Sequence, residues 1–335
     1  DWSSDVCSSD LNRKESAEIL TQFVSRLDEP YVIALNSEWG TGKTTFLKMW
    51  KSHLELQKFN VIYFNAWEND FNNDPLIPLI DEISGCISDI ENPDIKKNKE
   101  YAEKIKSIGF SLVKKTMPEI IKHATYGMVD LSESVENSFA SINETLAKEQ
   151  FDAYEQNKKS FSEFKKTLQK FSETMANEMP IIFMIDELDR CRPNYAIELL
   201  EKVKHLFSMK GIVFVLGVDK QQLGRSVSVL YGNIDVDGYL SRLIDIDYTL
   251  PRPDIKNFVE QTLNKHNVRS FFERRKNHGF RDEHDALIDN FYGLFVTFKL
   301  TLRQSMQILS QCVLILRLTK EKEDRKSTRL NSSHQ

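Results

Sequence analysis

The loop that most constrains the fold reads Ser37-Glu38-Trp39-Gly40-Thr41-Gly42-Lys43-Thr44. It follows the apolar run YVIAL at residues 31–35, and a helical pattern extends from Lys43 to about Leu56. A strand, a glycine-containing turn and a helix in this order form the phosphate-loop pattern G-x-x-x-x-G-K-[ST], with Ser37 at the place of the first glycine. Backbone N–H groups and the helix N-terminus of such a loop bind phosphates. The sequence therefore predicts a nucleotide-phosphate site.

The residue types in this loop indicate how it would bind a nucleotide. Lys43 is expected to reach the β and γ phosphates, and the Thr44 hydroxyl is expected to ligate Mg²⁺. Gly40 and Gly42 let the backbone approach the phosphates closely because they lack a Cβ. Serine at position 37 would be strained if that position required a positive φ. The predicted ATP-binding residues of the segment are Ser37, Glu38, Trp39, Gly40, Thr41, Gly42, Lys43, Thr44 and Thr45.

A second motif brings acidic residues to the end of a strand. The apolar run IIFMI at residues 181–185 is followed directly by Asp186 and Glu187. This is the Walker B arrangement, in which Asp186 would hold Mg²⁺ and Glu187 would orient and activate the attacking water. Taken alone, the pattern also fits a strand that ends in a solvated acidic turn. Together with the phosphate loop upstream, it favours a nucleotide site.

Apolar runs elsewhere in the chain indicate a parallel sheet. The runs VIYF (61–64), IVFVL (212–216) and IDIDY (244–248) join the runs at 31–35 and 181–185 as predicted strands, with helices between them. Strands that are apolar throughout are typical of parallel sheets covered on both faces. The predicted fold class is α/β: a P-loop NTPase sheet of about five parallel strands with helices on both faces, a helical insertion and a C-terminal helical lid.

The same pattern divides the chain. Residues 11–90 and 179–251 form the two parts of the predicted core, and residues 252–322 form the lid. Residues 91–178 are rich in Lys, Glu, Ser and Asn and are predicted to be inserted helices; a partner-binding or packed lobe is favoured over a helix lying on a membrane. A short linker in place of this insertion is expected to leave ATP binding intact. Residues 1–10 and 323–335 lack a helix or strand period and are predicted to be non-native tails.

Composition excludes several classes of protein. The formal net charge is −5 and the pI is about 5.9, so no overall basic excess indicates nucleic-acid binding. The short basic run Arg274-Arg275-Lys276 fits a solvated helix face better than a nucleic-acid groove. No stretch approaches the roughly 18–20 apolar residues of a membrane span. The four cysteines show no metal-ligand spacing, so a cytoplasmic protein with reduced thiols is expected.

Several further polar residues are candidates for the site. Asp219 ends a predicted strand and is predicted either to sense the γ-phosphate or to cap the next helix. Arg303 opens an apolar-striped helix in the lid and is predicted to act as a sensor arginine, with a structural role as the alternative. Asn65 is a weaker candidate for contacting the attacking water. Arg190 and Arg242 are candidates for contacting phosphates or a neighbouring subunit, and surface pairing is the alternative.

The motifs together resemble one family, the KAP P-loop NTPases. The combination of the phosphate loop with the element DELDRC is specific, whereas either part alone would not be. The resemblance covers most of residues 11–320 outside the insertion. It is carried by EWGTGKTT (38–45), YFNAWEND (63–70), IDELDRCRPNYAIELLEKVKHLF (185–207), VFVLGVDKQQL (213–223) and YGNIDVDGYLSRLIDIDYTLP (231–251).

The resemblance implies further properties. The family belongs to the P-loop NTPases with an extra strand between the Walker A and Walker B strands, and residues 61–64 are expected to be that strand. Many members carry transmembrane helices at the place of the insertion, so this chain resembles a soluble member. The resemblance implies ATP rather than GTP as the ligand, with Mg²⁺. The family's roles include signalling scaffolds and bacterial exclusion of phage.

The resulting hypothesis is an ATPase with Lys43, Glu187 and Arg303 as its catalytic residues and Thr44 and Asp186 as its metal ligands. One alternative is an ATP-binding switch or scaffold with little turnover. Another is a nucleic-acid-remodelling motor, whose ATPase activity nucleic acid would stimulate in a salt-dependent way. The expected partners are ATP, a protein partner bound through the insertion, and a second copy of the chain.

Overall fold

The computed structural model describes residues 13–27, 29–89, 95–116, 155, 158–173, 179–206, 209–273 and 283–332. Three parts of the sequence-based interpretation lie outside these residues. They are the predicted tail at 1–10, most of the middle of the insertion (117–154), and the basic run Arg274–Lys276.

A five-stranded parallel sheet forms the centre of the molecule, in the spatial order β2-β3-β4-β1-β5. The predicted α/β fold class is confirmed, and each predicted strand is present with its bounds shifted by at most two residues. The strands are β1 (Tyr31–Asn36), β2 (Val61–Asn65), β3 (Ile181–Asp186), β4 (Ile212–Val218) and β5 (Ile246–Thr249).

The expectation that residues 61–64 form the strand between the Walker A and Walker B strands is wrong. The strand that separates β1 from β3 is β4, which pairs with both of them, whereas β2 lies at the sheet edge beside β3. Order along the chain does not reveal this, because each crossover can place the next strand on either side of its predecessor. The phosphate-loop strand and the Walker B strand therefore end on either side of β4.

Helices cover both faces of the sheet. On one face α1 (Lys14–Val24) and α2 (Lys43–Leu56) pack against alternate side chains of β1, β3 and β4, around the fully buried Trp50. On the other face lie α3 (Leu76–Asp89), α4 (Ile95–Thr116), α5 (residues 158–173), α6 (Pro193–Leu206), α7 (Lys220–Tyr231) and α8 (Val236–Leu243).

Burial along the strands explains their composition. Every residue of β3 and β4 is buried, because these strands have neighbours on both sides and helices on both faces. β5 lies at the edge, and its residues alternate between half-buried and exposed. The carboxylate of Asp245, just before β5, accepts a hydrogen bond from the N–H of Val32 at 2.9 Å. The sequence placed this strand two residues too early because Ile244 and Asp245 belong to the turn that leads into it.

The described helices of the insertion contribute to the core. Ala102 and Ile105 of α4, and Phe164, Leu168 and Phe171 of α5, belong to the same buried cluster as the strand residues on that face. A linker in place of residues 91–178 would therefore expose part of the main core, and its effect on ATP binding stays a prediction.

The C-terminal part is helical, with α9 (Ile255–Lys265), α10 (Val268–Glu273), α11 (Glu283–Thr297) and α12 (Leu302–Ser332). These helices surround a separate apolar cluster that includes Val259, Leu263 and Leu309. α12 continues as a helix through residues 323–332, where the sequence shows no helical period. None of the helices among the described residues combines the length and apolar character that crossing a bilayer requires.

The contribution of the insertion to the core can be tested with Phe171. Its side chain is fully buried, so Phe171→Ala is expected to lower the free energy of unfolding by about 3–5 kcal/mol. Lys166→Ala, at an exposed position of the same helix, is the matched control and is expected to change it by less than about 0.5 kcal/mol. Urea unfolding followed by circular dichroism measures both. Equal effects would show that α5 does not support the core.

Candidate functional site

The loop after β1 has the conformation that its glycines permit. Gly40 and Gly42 have φ values of 78° and 89°, and Gly42 immediately precedes α2. Ser37 is not in this left-handed region, so it is not strained at the place of the first glycine. The Ser37 and Thr41 hydroxyls lie 2.5 Å apart across the base of the loop. The contact between the Ser37 and Thr41 hydroxyls therefore stabilises the base of the loop, and the positive φ values of Gly40 and Gly42 let the backbone turn.

Lys43 curls back over the loop. Its Nζ donates a hydrogen bond of 2.9 Å to the carbonyl oxygen of Ser37 and lies 3.6 Å from Oδ2 of Asp189. The side chain is only 8% exposed, and this burial lowers the pKa of Lys43, while the nearby Asp189, Asp219 and Asp186 oppose that shift. A buried ammonium group needs anionic partners. Lys43 is thus placed where an incoming phosphate group would find a cation.

Asp186 lies at the end of β3 and is fully buried. Its carboxylate accepts hydrogen bonds of 2.9 Å from the Tyr63 hydroxyl and from the backbone N–H of Glu187. Burial raises the pKa of Asp186, and the nearby hydroxyl groups of Thr44 and Tyr63 act in the opposite direction because they stabilise the carboxylate. The end of β3 therefore lies beside Thr44 of the phosphate loop.

Gly217 makes room for this meeting. It lies on β4 directly beside Asp186, and a Cβ there would come within 2.6 Å of Oδ1 of Asp186 and 2.5 Å of a methyl carbon of Leu47 on α2. Real Cβ atoms do not make such contacts, so a side chain at this position would force Asp186 or Leu47 to shift.

Thr44 and Asp186 fit a magnesium site. Both offer oxygen ligands, which Mg²⁺ prefers, and Mg²⁺ usually takes one or two protein ligands while phosphates and waters complete its shell. Within the described part of the chain, no group of three or more His, Cys, Asp or Glu side chains forms a metal cage. The donor set therefore suits Mg²⁺ bound together with a nucleotide rather than an ion held by protein alone.

Glu187 lines the same cleft and is held by a neighbour. Its Oε1 lies 2.7 Å from Nη1 of Arg190, and its backbone is left-handed with φ of 60°. The Arg190 guanidinium is centred 5.6 Å from the ring centroid of Trp67, which is 53% exposed. Arg190 thus pairs with the acid after β3 and lies beside an aromatic side chain at the rim of the site, and its contact with phosphates or a neighbouring subunit stays a prediction.

Asp189 was not among the predicted site residues, yet its carboxylate contacts both the phosphate loop and the end of β4. Oδ2 accepts hydrogen bonds from the Trp39 indole N–H and from the backbone N–H of Asp219, at 2.9 Å, and faces Lys43. Its place in the element DELDRC, three residues after Asp186, was the available signal, but its partners in the site are remote along the chain. Asp189 links the phosphate loop to the ends of β3 and β4.

The lid meets the phosphate loop at the start of α12. Thr301 and Gln304 form a capping box, in which the Gln304 side chain accepts from the Thr301 N–H at 2.9 Å and Thr301 Oγ1 accepts from the Gln304 N–H at 3.3 Å. The Arg303 backbone N–H donates to the Gly40 carbonyl at 3.2 Å. Arg303 is therefore fixed beside the loop although it is remote in sequence.

Most of the predicted site residues border one cleft. It is lined by Glu38, Trp39, Gly40, Gly42, Lys43, Thr44, Thr45, Glu187 and Arg303, together with Asp189, Arg190, Phe258, Leu302, Met306 and Gln307.

Other candidates make different contacts. The Asp219 carboxylate accepts from the N–H groups of Gln221 and Gln222, so it caps α7, one of the roles expected for it; contact with the γ-phosphate stays a prediction. Asn65 accepts from the N–H groups that follow it and donates to Glu68, which stabilises a local turn. Arg242 lines a separate cleft formed by α6 and α8.

Comparison with known sequences assigns the family. The profile of the KAP family P-loop domain matches residues 13–321, so the chain belongs to this family. It is 22% identical to the phage T7 exclusion protein of Escherichia coli (strain K12) over 266 residues, which cover 70% of this chain and 32% of that protein. An uncharacterised protein of Methanocaldococcus jannaschii is 28% identical over 175 residues, which cover 48% of this chain and 90% of that protein. The chain thus spans about a third of the length of the T7 exclusion protein.

The solved structures that resemble the chain are more distant. The Aeropyrum pernix ORC2 protein in its ADP form superposes with a TM-score of 0.39 and 13% identity, covering 92% of this chain and 64% of that one. Its ADPNP–ADP complexes give a TM-score of 0.36 and 14% identity, covering 76% and 51%. These similarities are too low to support a functional argument.

The role of Gly217 gives a direct test of the site geometry. Gly217→Ala is expected to displace the Asp186 carboxylate or Leu47 and to lower the free energy of unfolding by about 1–3 kcal/mol. Gly293→Ala, at a helical position where an added Cβ meets no atom within 4 Å, is the control and should be neutral or stabilising. Thermal unfolding of both variants decides the matter, and a neutral Gly217→Ala would contradict the close approach.

Proposed function

We propose that this chain binds ATP with Mg²⁺ and hydrolyses the β–γ phosphoanhydride to drive a conformational change. One observation carries the proposal: the phosphate loop meets the Walker B segment, with Nζ of Lys43 3.6 Å from Oδ2 of Asp189 and Thr44 beside the Asp186 carboxylate. Lys43 and Glu187 line the same cleft. A cation, two oxygen ligands for a metal and a carboxylate thus converge at the carboxyl end of a parallel sheet, where such folds bind ligands.

Binding would use the charge and shape of the loop. The phosphates would lie on the N-terminus of α2, and the Lys43 ammonium would contact the β and γ phosphates. Phe258, Leu302 and Met306 supply the apolar lining of the cleft on the lid side. Residues of the core and the lid would therefore hold the nucleotide together.

Hydrolysis would proceed by in-line attack of water on the γ-phosphorus. Glu187 would orient this water and accept its proton, and Arg190 holds the carboxylate of Glu187 at the edge of the cleft. Lys43 would stabilise the charge that develops on the phosphate oxygens. Mg²⁺, held by Thr44 and, mostly through water, by Asp186, would supply further charge stabilisation when bound.

One observation favours the second candidate function, a nucleotide switch with slow turnover. Both key side chains are already engaged, Glu187 with Arg190 at 2.7 Å and Lys43 with Asp189 at 3.6 Å. If both contacts must break before each turnover, hydrolysis is slow. The chain would then remain for long periods either with nucleotide bound or empty, as a switch does. The turnover number of the purified chain, with and without nucleic acid, separates an efficient ATPase, a switch and a motor.

The biological role that we propose is exclusion of phage. It is supported by the name of the Escherichia coli relative, of which the matched region is about a third. The insertion is the surface we propose for a protein partner. Infection of cells that carry the full-length gene, with and without the Lys43→Ala substitution, tests this role, because exclusion should require a functional phosphate loop.

Lys43→Ala and Glu187→Gln should separate binding from hydrolysis. Lys43→Ala removes a charge-assisted contact and is expected to weaken ATP binding about 10- to 100-fold. Glu187→Gln keeps the shape but removes the base, so ATP affinity should persist while turnover falls about 10²- to 10⁴-fold. Calorimetry and a phosphate-release assay measure the two effects. Glu198→Gln, on α6, is the control; wild-type turnover in Glu187→Gln would exclude the role proposed for this acid.

Arg303→Ala should reduce discrimination between ATP and ADP. The guanidinium of Arg303 can offer paired donors to phosphate oxygens, and only ATP presents γ-oxygens. We expect lower turnover and a smaller difference between the thermal shifts that ATP and ADP produce. Arg317→Ala, at an exposed position of α12, is the matched control. If Arg303→Ala leaves the turnover and the thermal shifts with ATP and ADP unchanged, the role of Arg303 is purely structural.

A further inference from the structure

Asp189 is a carboxylate at a site built for anions. Its side chain is only 1% exposed, and it lines the same cleft as Lys43 and Thr44. A buried carboxylate next to the place of the nucleotide phosphates would repel them. Asp189 therefore weakens the binding of phosphates, and its presence at this position calls for another role.

The contacts of Asp189 show what it does in the structure. Oδ2 accepts from the Trp39 indole and from the Asp219 N–H, and it is the acidic oxygen within 3.6 Å of Lys43 Nζ. Trp39 and Lys43 belong to the phosphate loop, while Asp219 follows β4. One oxygen atom thus ties the loop to the end of β4 and provides a buried ammonium with a counter-charge.

The other oxygen, Oδ1, is buried and has no hydrogen-bond partner. A buried carboxylate normally has its oxygens satisfied, so this one is held in place at a cost. Since Asn can place its carbonyl oxygen at the Oδ2 position, it could accept the same hydrogen bonds while leaving only its amide at the unpartnered position. The charge of Asp189 can therefore be removed without removing its hydrogen bonds to Trp39 and Asp219.

We propose that Asp189 is a positioning residue that holds Lys43 in the empty site and competes with nucleotide phosphates for it. Before ligand binds, the carboxylate neutralises Lys43 and fixes Trp39, which keeps the phosphate loop in place. When phosphates enter, they replace Asp189 as the principal partner of Lys43. The residue thus lowers affinity for the ligand while stabilising the empty protein. This inference rests on the proposed nucleotide binding.

The test measures ADP binding, without Mg²⁺, to the full chain and to Asp189→Asn by calorimetry. We expect Asp189→Asn to bind ADP about tenfold more tightly, because a like charge near the phosphates is lost. The empty variant should unfold at a lower temperature than the parent, because Lys43 has lost its nearest counter-charge. A merely structural residue would not produce this combination, since damage to the site weakens binding.

The control variant is Asp70→Asn. Asp70 is also a well-held carboxylate, which accepts from the backbone N–H and the Nε of Arg192 at 2.8 Å and 2.9 Å. Arg192 lies three residues after Asp189 in the chain. The described residues that line the cleft include neither Asp70 nor Arg192. Asp70→Asn is expected to leave the ADP affinity within about twofold of the parent. AMP is the control ligand, because it lacks the β-phosphate that Lys43 would contact, and its affinity should change less than that of ADP.

The outcomes separate the two proposals. Equal or weaker ADP binding by Asp189→Asn, with the parent binding normally, overturns the inference and leaves the proposed function intact. No ADP binding by the parent overturns both. If Asp189→Asn does not fold, Asp189→Ser removes the same charge and is judged by the same criterion. If Asp70→Asn raises the ADP affinity as much as Asp189→Asn does, the effect is one of overall charge, and the inference is also overturned.

Discussion

Parallel pairing of β4 with both β1 and β3 is the constraint on which the rest of the structure depends. It brings the loop after β1 and the acid after β3 to one edge of the sheet, on either side of a strand that ends in a glycine and a valine. Gly217 has no side chain, so the Asp186 carboxylate and Leu47 of α2 can both approach β4 at this level of the sheet. The site is thus a consequence of strand order and of one missing Cβ, and the loop motif alone would not create it.

The sequence revealed the parts of the structure that depend on local pattern. Fully buried strands appear as unbroken apolar runs, and the phosphate loop carries its glycines at fixed spacing, so the strands and the loop were predicted nearly at their observed places. Strand order was not predictable in this way, because it depends on which crossover packs on which face. The extra strand was accordingly assigned to residues 61–64 when it is β4.

The missed part of the site has the same cause. Asp189 contacts Trp39 across 150 positions of sequence. This contact leaves no periodic or compositional trace. The insertion gives a similar lesson: its Lys- and Glu-rich composition indicates exposed helices, yet Phe164 and Phe171 are fully buried in the main core. Composition averages over a helix, whereas packing depends on one face of it.

The seating of α12 on the phosphate loop has a mechanical consequence. The helix is capped at Thr301 and bonded to Gly40 at one end, and it continues without interruption past residue 321, where the match to the family profile ends. Twenty helical residues span about 30 Å at 1.5 Å per residue. A tilt of about ten degrees at the loop would displace the far end by about 5 Å. A small change of tilt at the phosphate loop would therefore become a much larger displacement at the far end of this helix.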